Sequence, residues 1–383
     1  MKVEYLIVGA GFTGAVVAER IASQTDSTVL VIDRRSHVAG NAYDTRDQNG
    51  LMYHVYGPHI FHTNSLSVWE YLSRFTDWRS YQHRVLGVID GRQVPIPFNL
   101  TSIEILFERA EASILRDILV STYGYGSKIA INKLRESGDL RVHALAEYIY
   151  SKVFLGYSRK QWGVQPETLS PSVLARVPVH ISYDDRYFQD KYQGLPSNSY
   201  TRLVENILDH RSISVELGVE FSNFNRKNNF ETIIYTGEID EYFGYCYGAL
   251  PYRSLHFEMQ LYQQSQHQTV AQVNYPNDHE FTRITEMSHL TDEWSKCSLV
   301  SIEYPRDHVP GKTTPYYPIP SEPNQRLHRK YVELAAREAP KVVFAGRLGE
   351  YRYYNMDQAV AAAMVTADRI VRSHPICPSP ILP

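Results

Sequence analysis

Three cysteines (Cys246, Cys297 and Cys377) in 383 residues, odd in number and far apart, exclude a disulfide framework or a CxxC metal site and predict a reducing compartment. Neither sign of charge is in large excess. The formal net charge of −3 gives no global basic field for nucleic acid or an anionic membrane, so any anion must be met locally. No apolar run approaches the roughly 18 residues of a membrane span, and the first strand starts without a basic leader or cleavage site, so the expectation is a cytoplasmic protein with no membrane insertion. Repeats and low-complexity segments are absent. What is present is an ordinary apolar share of 43%, a length beyond that at which single cores stop growing, and 29 tyrosines, suited to hydroxyl-lined clefts, interfaces or sheet packing.

The stretch "VEYLIVGAGFTG" predicts a strand over Val3–Val8, a glycine turn, a helix over Phe12–Ser23 and a second strand, Thr28–Ile32, ending at Asp33. Gly9 permits the tight turn, Gly11 lets the backbone approach a pyrophosphate, and Gly14 lets helix and strand pack closely. Asp33 stands where an acid binds a ribose hydroxyl. From Leu100 to about Phe154 the pattern is helical, with Thr101 and Glu104 read as a capping box. Between Ile213 and Tyr304 the runs "SVELGVEF", "TIIYTG", "TVAQVNYP" and "SLVSIEYP" predict a mixed, partly antiparallel sheet. A last strand, "KVVFAG", precedes an Ala-rich helix entered near Asn355 or Asp357, and the tail "HPICPSPILP" reads as irregular. A second GxGxxG and paired cysteines are missing, which argues against a flavin disulfide reductase. One N-terminal fingerprint with a late "FAGR" strand favours FAD.

Five further blocks, "YGPHIFHTN", "GYSRKQWG", "ARVPVHISYDDRYF", "YPNDHEFTRITE" and "GRLGEYRYYNMDQA", in this order, resemble bacterial UDP-galactopyranose mutase over nearly the whole chain. The resemblance implies an α/β fold: an FAD-binding Rossmann-like domain (1–80, 197–245 and 335–375), a helical domain (98–190) with an active-site loop at about 168–182, and a mixed or antiparallel β-sheet domain (81–97 and 246–334). It implies interconversion of UDP-galactopyranose and UDP-galactofuranose without net redox change, with reduced FAD N5 as covalent nucleophile at the anomeric carbon. NADH or NADPH would serve only to reduce the flavin, and a homo-oligomer is expected.

Carried over residue by residue, the resemblance assigns Trp162 to stacking on uracil, with Tyr157, Tyr187, Phe188, Asn274, Tyr317, Tyr353 and Asn355 on the UDP-sugar. His59 and His62 fall beside the flavin as catalytic candidates, and no third ligand of sensible spacing makes them a metal site. Gly9, Gly11, Phe12, Thr13, Gly14, Asp33, Arg34, Gly40, Asn41, Tyr56, Gly57, His59, Gly346, Arg347, Tyr353, Asn355, Met356 and Asp357 are the cofactor-binding candidates. Arg176 and Arg283 are both catalytic and substrate-binding candidates, because a diphosphate entering a slightly acidic protein needs fixed forks of positive charge. Two departures from the family pattern are Asn355, where many members carry aspartate, and Ala39 in "VAGN", where glycine is usual. The alternatives are a UDP-N-acetylgalactosamine mutase, a flavin amine-oxidase relative, and a module that binds without converting.

Overall fold

The computed structural model describes residues 4–25, 27–169, 176–224 and 230–373. Its first unit is β1 (Tyr5–Val8), α1 (Phe12–Gln24) and β2 (Val29–Asp33). β1 and β2 are nearly continuous apolar runs because, in a parallel sheet covered by helices, both faces are buried.

Chain order continues through three short strands, β3 (Phe61–Thr63), β4 (Trp78–Ser80) and the start of a hairpin, β5 (Val85–Ile89), which β6 (Arg92–Ile96) completes. The helical segment follows: α2 (Leu100–Leu106), α3 (Arg109–Tyr123) and α4 (Leu140–Ile149) enclose their own apolar core. α4 runs through a widened π turn at Tyr150–Leu155 into α5 (Gly156–Trp162). Such turns re-aim side chains and gather at functional sites. Here the turn separates the core-facing stripe of α4 from the face carrying Tyr157 and Trp162.

The second half contributes β7 (Tyr192–Pro196), β8 (Ile213–Leu217), β9 (Thr232–Tyr235), β10 (Tyr252–Tyr262), β11 (Gln272–Asn274), β12 (Arg283–Glu286) and β13 (Ser298–Asp307). β14 (Tyr317–Pro318), β15 (Val342–Phe344) and α6 (Met356–Ser373) close the described chain. β8-β2-β1-β9-β15 form one parallel sheet. β14-β10-β13-β12-β11-β5-β6 form a second sheet, antiparallel except where β11 meets β5. β3-β7-β4 make a small antiparallel third sheet. The fold is thus α/β, Rossmann-like, with helical and mixed-sheet additions. α6 packs against α1, where Arg20 bonds Asp368 at 2.7 Å.

Two readings of the sequence are corrected. "SVELG" and "TIIY" form strands, but in the parallel sheet beside β2 and β1, because strand propensity does not encode a partner. The cap of α2 is Asn99: its side chain accepts from Ser102 N at 3.0 Å while Asn99 N donates to Ser102 Oγ at 3.2 Å, so the helix begins ahead of the Thr101 and Glu104 pattern. Ala39 adopts φ +70, the left-handed conformation that the usual glycine would take without strain. Residues 170–175 of the expected loop, the C-terminal tail with Cys377, and Val3 lie outside the described residues.

Candidate active site

Three cavities of about 230, 180 and 320 Å³ lie in series. The first and second share Asn41, His59, Tyr316, Arg347 and Met356, and the second and third share His62, Phe188, Arg283, Tyr317 and Tyr353, so the three are chambers of one cleft. Among the described residues no group of three His, Cys, Asp or Glu side chains is placed to hold a metal, and no helix is long and apolar enough to cross a membrane.

The glycine turn builds the first chamber. Gly9, Gly11, Phe12, Thr13 and Gly14 line it together with Asp33, Arg34, Gly40 and Gly346. α1 has no side-chain cap, so the backbone N–H groups of its first turn remain for a ligand. Asp33 stiffens the turn: its Oδ2 accepts from Ala10 N and its Oδ1 from Arg35 N, both at 2.8 Å. The glycines separate by cause. A Cβ on Gly9 would lie 2.0 Å from Thr236 Oγ1 and one on Gly14 1.9 Å from Gly9 O, so the chain itself requires both. A Cβ on Gly11 would meet Gly40 alone, its Cα at 3.6 Å and its N at 3.9 Å, both ordinary contacts, and Gly11 has an ordinary φ of −80. Nothing in the chain demands glycine there, which is what an approaching pyrophosphate would explain. The residues present therefore fit the pyrophosphate of a dinucleotide.

The second chamber is lined by Tyr56, Gly57, His59, His62, Arg347 and Met356. Burial, with the charges of Arg347 and Arg283 and neighbouring His54, pushes the His59 ring down to about 3. Its Nδ1 lies 2.8 Å from Gly57 O, and a carbonyl can only accept, so the neutral ring carries its proton on Nδ1 and offers Nε2 as acceptor. His62 stacks on Phe188 (3.6 Å, 14°) and its Nδ1 meets Asp190 Oδ2 at 3.0 Å. Arg347 is anchored by Tyr316 O and Tyr354 O. Asp357, by contrast, turns away and accepts from Thr63 Oγ1 at 3.0 Å; it lines none of the three chambers.

Sequence reasoning missed His83 and Gln272, which complete this wall. His83 is buried, parallel to Phe188 on one side and edge-on to Tyr187 on another, and desolvation with the nearby Arg283 holds it neutral, down to about 3. Within "YQHRVLG" it carries no motif, so only three-dimensional placement reveals it.

The third chamber is lined by Tyr157, Trp162, Arg176, Tyr187, Asn274, Arg283 and Asn355. Trp162 packs edge-on to Tyr353 (5.5 Å, 87°), which in turn packs edge-on to Tyr317 (5.1 Å, 80°). Burial drives the Tyr157 phenol upward and Tyr317 up to about 12, so both stay protonated donors. Arg283 gives Nε and Nη2 to Glu303 Oε2 at 2.8 and 2.6 Å. Burial opposes its charge, but Glu303 together with Tyr157 and Tyr317 outweighs that and keeps it protonated. Arg176 is exposed, with Cζ 3.9 Å over the Tyr353 ring, Nη1 donating to Tyr353 O and Nη2 to Asn355 Oδ1. One arginine is therefore fixed in the sheet by a buried carboxylate, and the other lies exposed over an aromatic ring in the same chamber.

A family model described as UDP-galactopyranose mutase matches residues 152–353, and one described as an NAD(P)-binding Rossmann-like domain matches residues 7–75. The chain is 40% identical to a probable UDP-galactopyranose mutase of Klebsiella pneumoniae over 96% of its own length and 94% of the relative's. It is 33% identical to a dTDP-fucopyranose mutase of Escherichia coli, over 96% and 98%. Among solved structures, a reduced UDP-galactopyranose mutase superposes with a TM-score of 0.72 at 17% identity, covering 97% of this chain and 94% of that one, a likeness of fold.

Proposed function

Since the chain belongs to the UDP-galactopyranose mutase family, we propose that its cleft holds FAD in the first two chambers and a UDP-sugar in the third, and that it interconverts UDP-galactopyranose and UDP-galactofuranose. The observation that carries this reading is the serial cleft: a glycine turn suited to a dinucleotide at one end, an aromatic and arginine chamber suited to a nucleoside diphosphate at the other, and a neutral imidazole wall between them.

A reduced flavin held by the glycine turn, Arg347 and Met356 would supply nucleophilic chemistry for the anomeric carbon without net oxidation of the sugar. The protein's own residues do the rest. Trp162 offers its face to the base. Arg283 and Arg176 neutralise the two charges of the diphosphate while it is attached and stabilise the additional negative charge that the anomeric oxygen gains when the group leaves. His59 Nε2 can accept a hydrogen bond from a donor in the middle chamber, and His83, held neutral, avoids placing a third positive charge beside the arginines. Tyr157 and Tyr317 donate to phosphate oxygens.

Two outcomes test this reading. Anaerobic incubation with UDP-galactofuranose, followed by chromatography, yields UDP-galactopyranose from dithionite-reduced protein, whereas oxidised protein turns over at least about 100-fold more slowly. Equal rates in both states would refute the redox-dependent mechanism. Running UDP-N-acetylgalactosamine in its furanose form and dTDP-fucofuranose in parallel ranks the substrates, the second because a relative carries that name. Trp162→Ala should weaken UDP binding by about 1 to 3 kcal/mol, the range for a base stacked on an aromatic ring, leaving flavin content unchanged. Unaltered UDP affinity by calorimetry would remove Trp162 from the base site.

A further inference from the structure

Lys160, on α5 between Tyr157 and Trp162, does not line the third chamber. Its Nζ instead donates to four backbone carbonyls of the loop joining β11 to β12: Tyr275 O at 2.5 Å, His279 O at 2.9 Å, Phe281 O at 3.1 Å and Asn277 O at 3.2 Å. These are alternate residues of one loop, curled into a ring of oxygens around one ammonium. No carboxylate pairs with Lys160 among the described residues. Two more contacts dock the same loop on the same helical run. Asn277 Nδ2 donates to Lys152 O at 2.9 Å, and Gly156 admits Pro276 so closely that a Cβ would lie 2.4 Å from its carbonyl oxygen.

The loop ends are functional. Asn274 finishes β11 and Arg283 begins β12, and both line the third chamber opposite Tyr157 and Trp162 of α5. We infer that Lys160 is a positioning residue for the UDP-sugar site, its ammonium gathering the loop's carbonyls so that Arg283 and Asn274 stand in register with Trp162 and Tyr157. The inference rests on the proposed function and deepens it: the clamp on the diphosphate is held from behind by a cation that never touches substrate.

The consequence is a pH dependence. Burial pushes Lys160 down to about 8, with Asp278 of the loop acting in the opposite direction. The other charged groups around it are Arg159 on its own helix, bonded to Gln165, Glu280 and His279 on the loop, and Arg253 of β10, which donates to Lys160 O and pairs with Asp307 of β13. As pH rises through about 8, the ammonium loses a proton and its charge, two N–H donors remain for four oxygens, and the loop slackens.

The test compares Lys160→Met, Lys160→Gln and wild type with bound, reduced flavin. Wild-type Kd for UDP and KM for the UDP-sugar should rise severalfold between pH 7 and 9, with kcat changing less. Lys160→Met should bind UDP about tenfold more weakly at pH 7 with no further rise to pH 9. Lys160→Gln, keeping an N–H₂ but no charge, should bind better than Met and be equally insensitive to pH. In a double-mutant cycle, Lys160→Met and Arg283→Lys should be non-additive in UDP affinity. Wild-type affinity in both Lys160 variants, additivity in the cycle, or an unchanged pH profile in the Gln variant would overturn the inference. Wild type that fails to bind UDP at all would instead overturn the proposed function, which separates the two failures.

Discussion

Arg283→Ala loses turnover and stability together, and the two losses come apart when Glu303 is changed as well. The guanidinium gives two hydrogen bonds to a carboxylate that is 1% exposed, and among the described residues that carboxylate also accepts from the Thr282 hydroxyl at 3.0 Å. Breaking a buried pair from one side costs about 3 to 5 kcal/mol because the remaining charge is stranded. The single variant should therefore melt many degrees lower, an outcome that charge arguments from sequence alone did not foresee. Arg283→Ala with Glu303→Gln removes both charges and should recover most of the melting temperature. Its kcat/KM should nevertheless stay about 100- to 1,000-fold down, the usual effect of deleting a preorganised donor at a site of developing negative charge. Arg176→Ala should lower kcat/KM without lowering the melting temperature, since that residue is exposed and lies over Tyr353. Lysine at 283 keeps charge but not the fork, and should rescue only partly. If the double variant regained wild-type kcat/KM, Arg283 would serve only to neutralise Glu303 and the clamp would have to be reassigned.

Gly11→Ala should abolish flavin retention in a protein that still folds. The added methyl meets ordinary van der Waals space at 3.6 Å from Gly40 Cα, and the backbone at Gly11 is one any residue adopts, so the flavin-free protein should melt as wild type does. The same methyl would stand between the backbone and a pyrophosphate, and affinity should fall more than tenfold, over about 1.4 kcal/mol. Gly14→Ala should fail differently: its methyl would sit 1.9 Å from Gly9 O, forcing α1 off β1 and lowering stability with or without cofactor. Absorbance at the flavin band and melting of the stripped proteins separate the two. Full flavin content in Gly11→Ala would mean that no pyrophosphate lies against Gly11.

The glycine fingerprint was legible in the sequence because turn, strand and helix are local and each glycine has a local reason. Arg176, Arg283 and Trp162 were legible because their surrounding blocks are distinctive. His83 and Gln272 were not, since His83 precedes β5 and Gln272 begins β11, far apart in sequence, and their meaning lies in lining one chamber, where His83 faces Phe188 and Tyr187. Lys160 was visible in "RKQWG", but its partners are carbonyls over a hundred residues away, and backbone oxygens leave no trace in side-chain spelling. The Asn99 cap was overlooked for a related reason, as Thr101 and Glu104 fit a pattern equally well and only the extended backbone at Asn99 decides between them. Asp357 was read with its motif rather than by its partner, Thr63.

β9 lies between β1 and β15, and α6 rests on α1, so the opening unit of the described chain and its closing strand and helix share one sheet and one helix layer. A ribosome delivers them in the opposite relation, as far apart in time as the chain allows. While the nascent chain lengthens, the glycine turn is already made, but its opposite bank, Gly346, Arg347 and Met356, does not yet exist. The cleft therefore forms only when the final strand and helix arrive, at the slow end of folding where distant segments must find each other. A chain halted before Val342 lacks Gly346, Arg347 and Met356, so on the proposed function bound flavin would report that the two banks of the cleft have met as well as marking the chemistry.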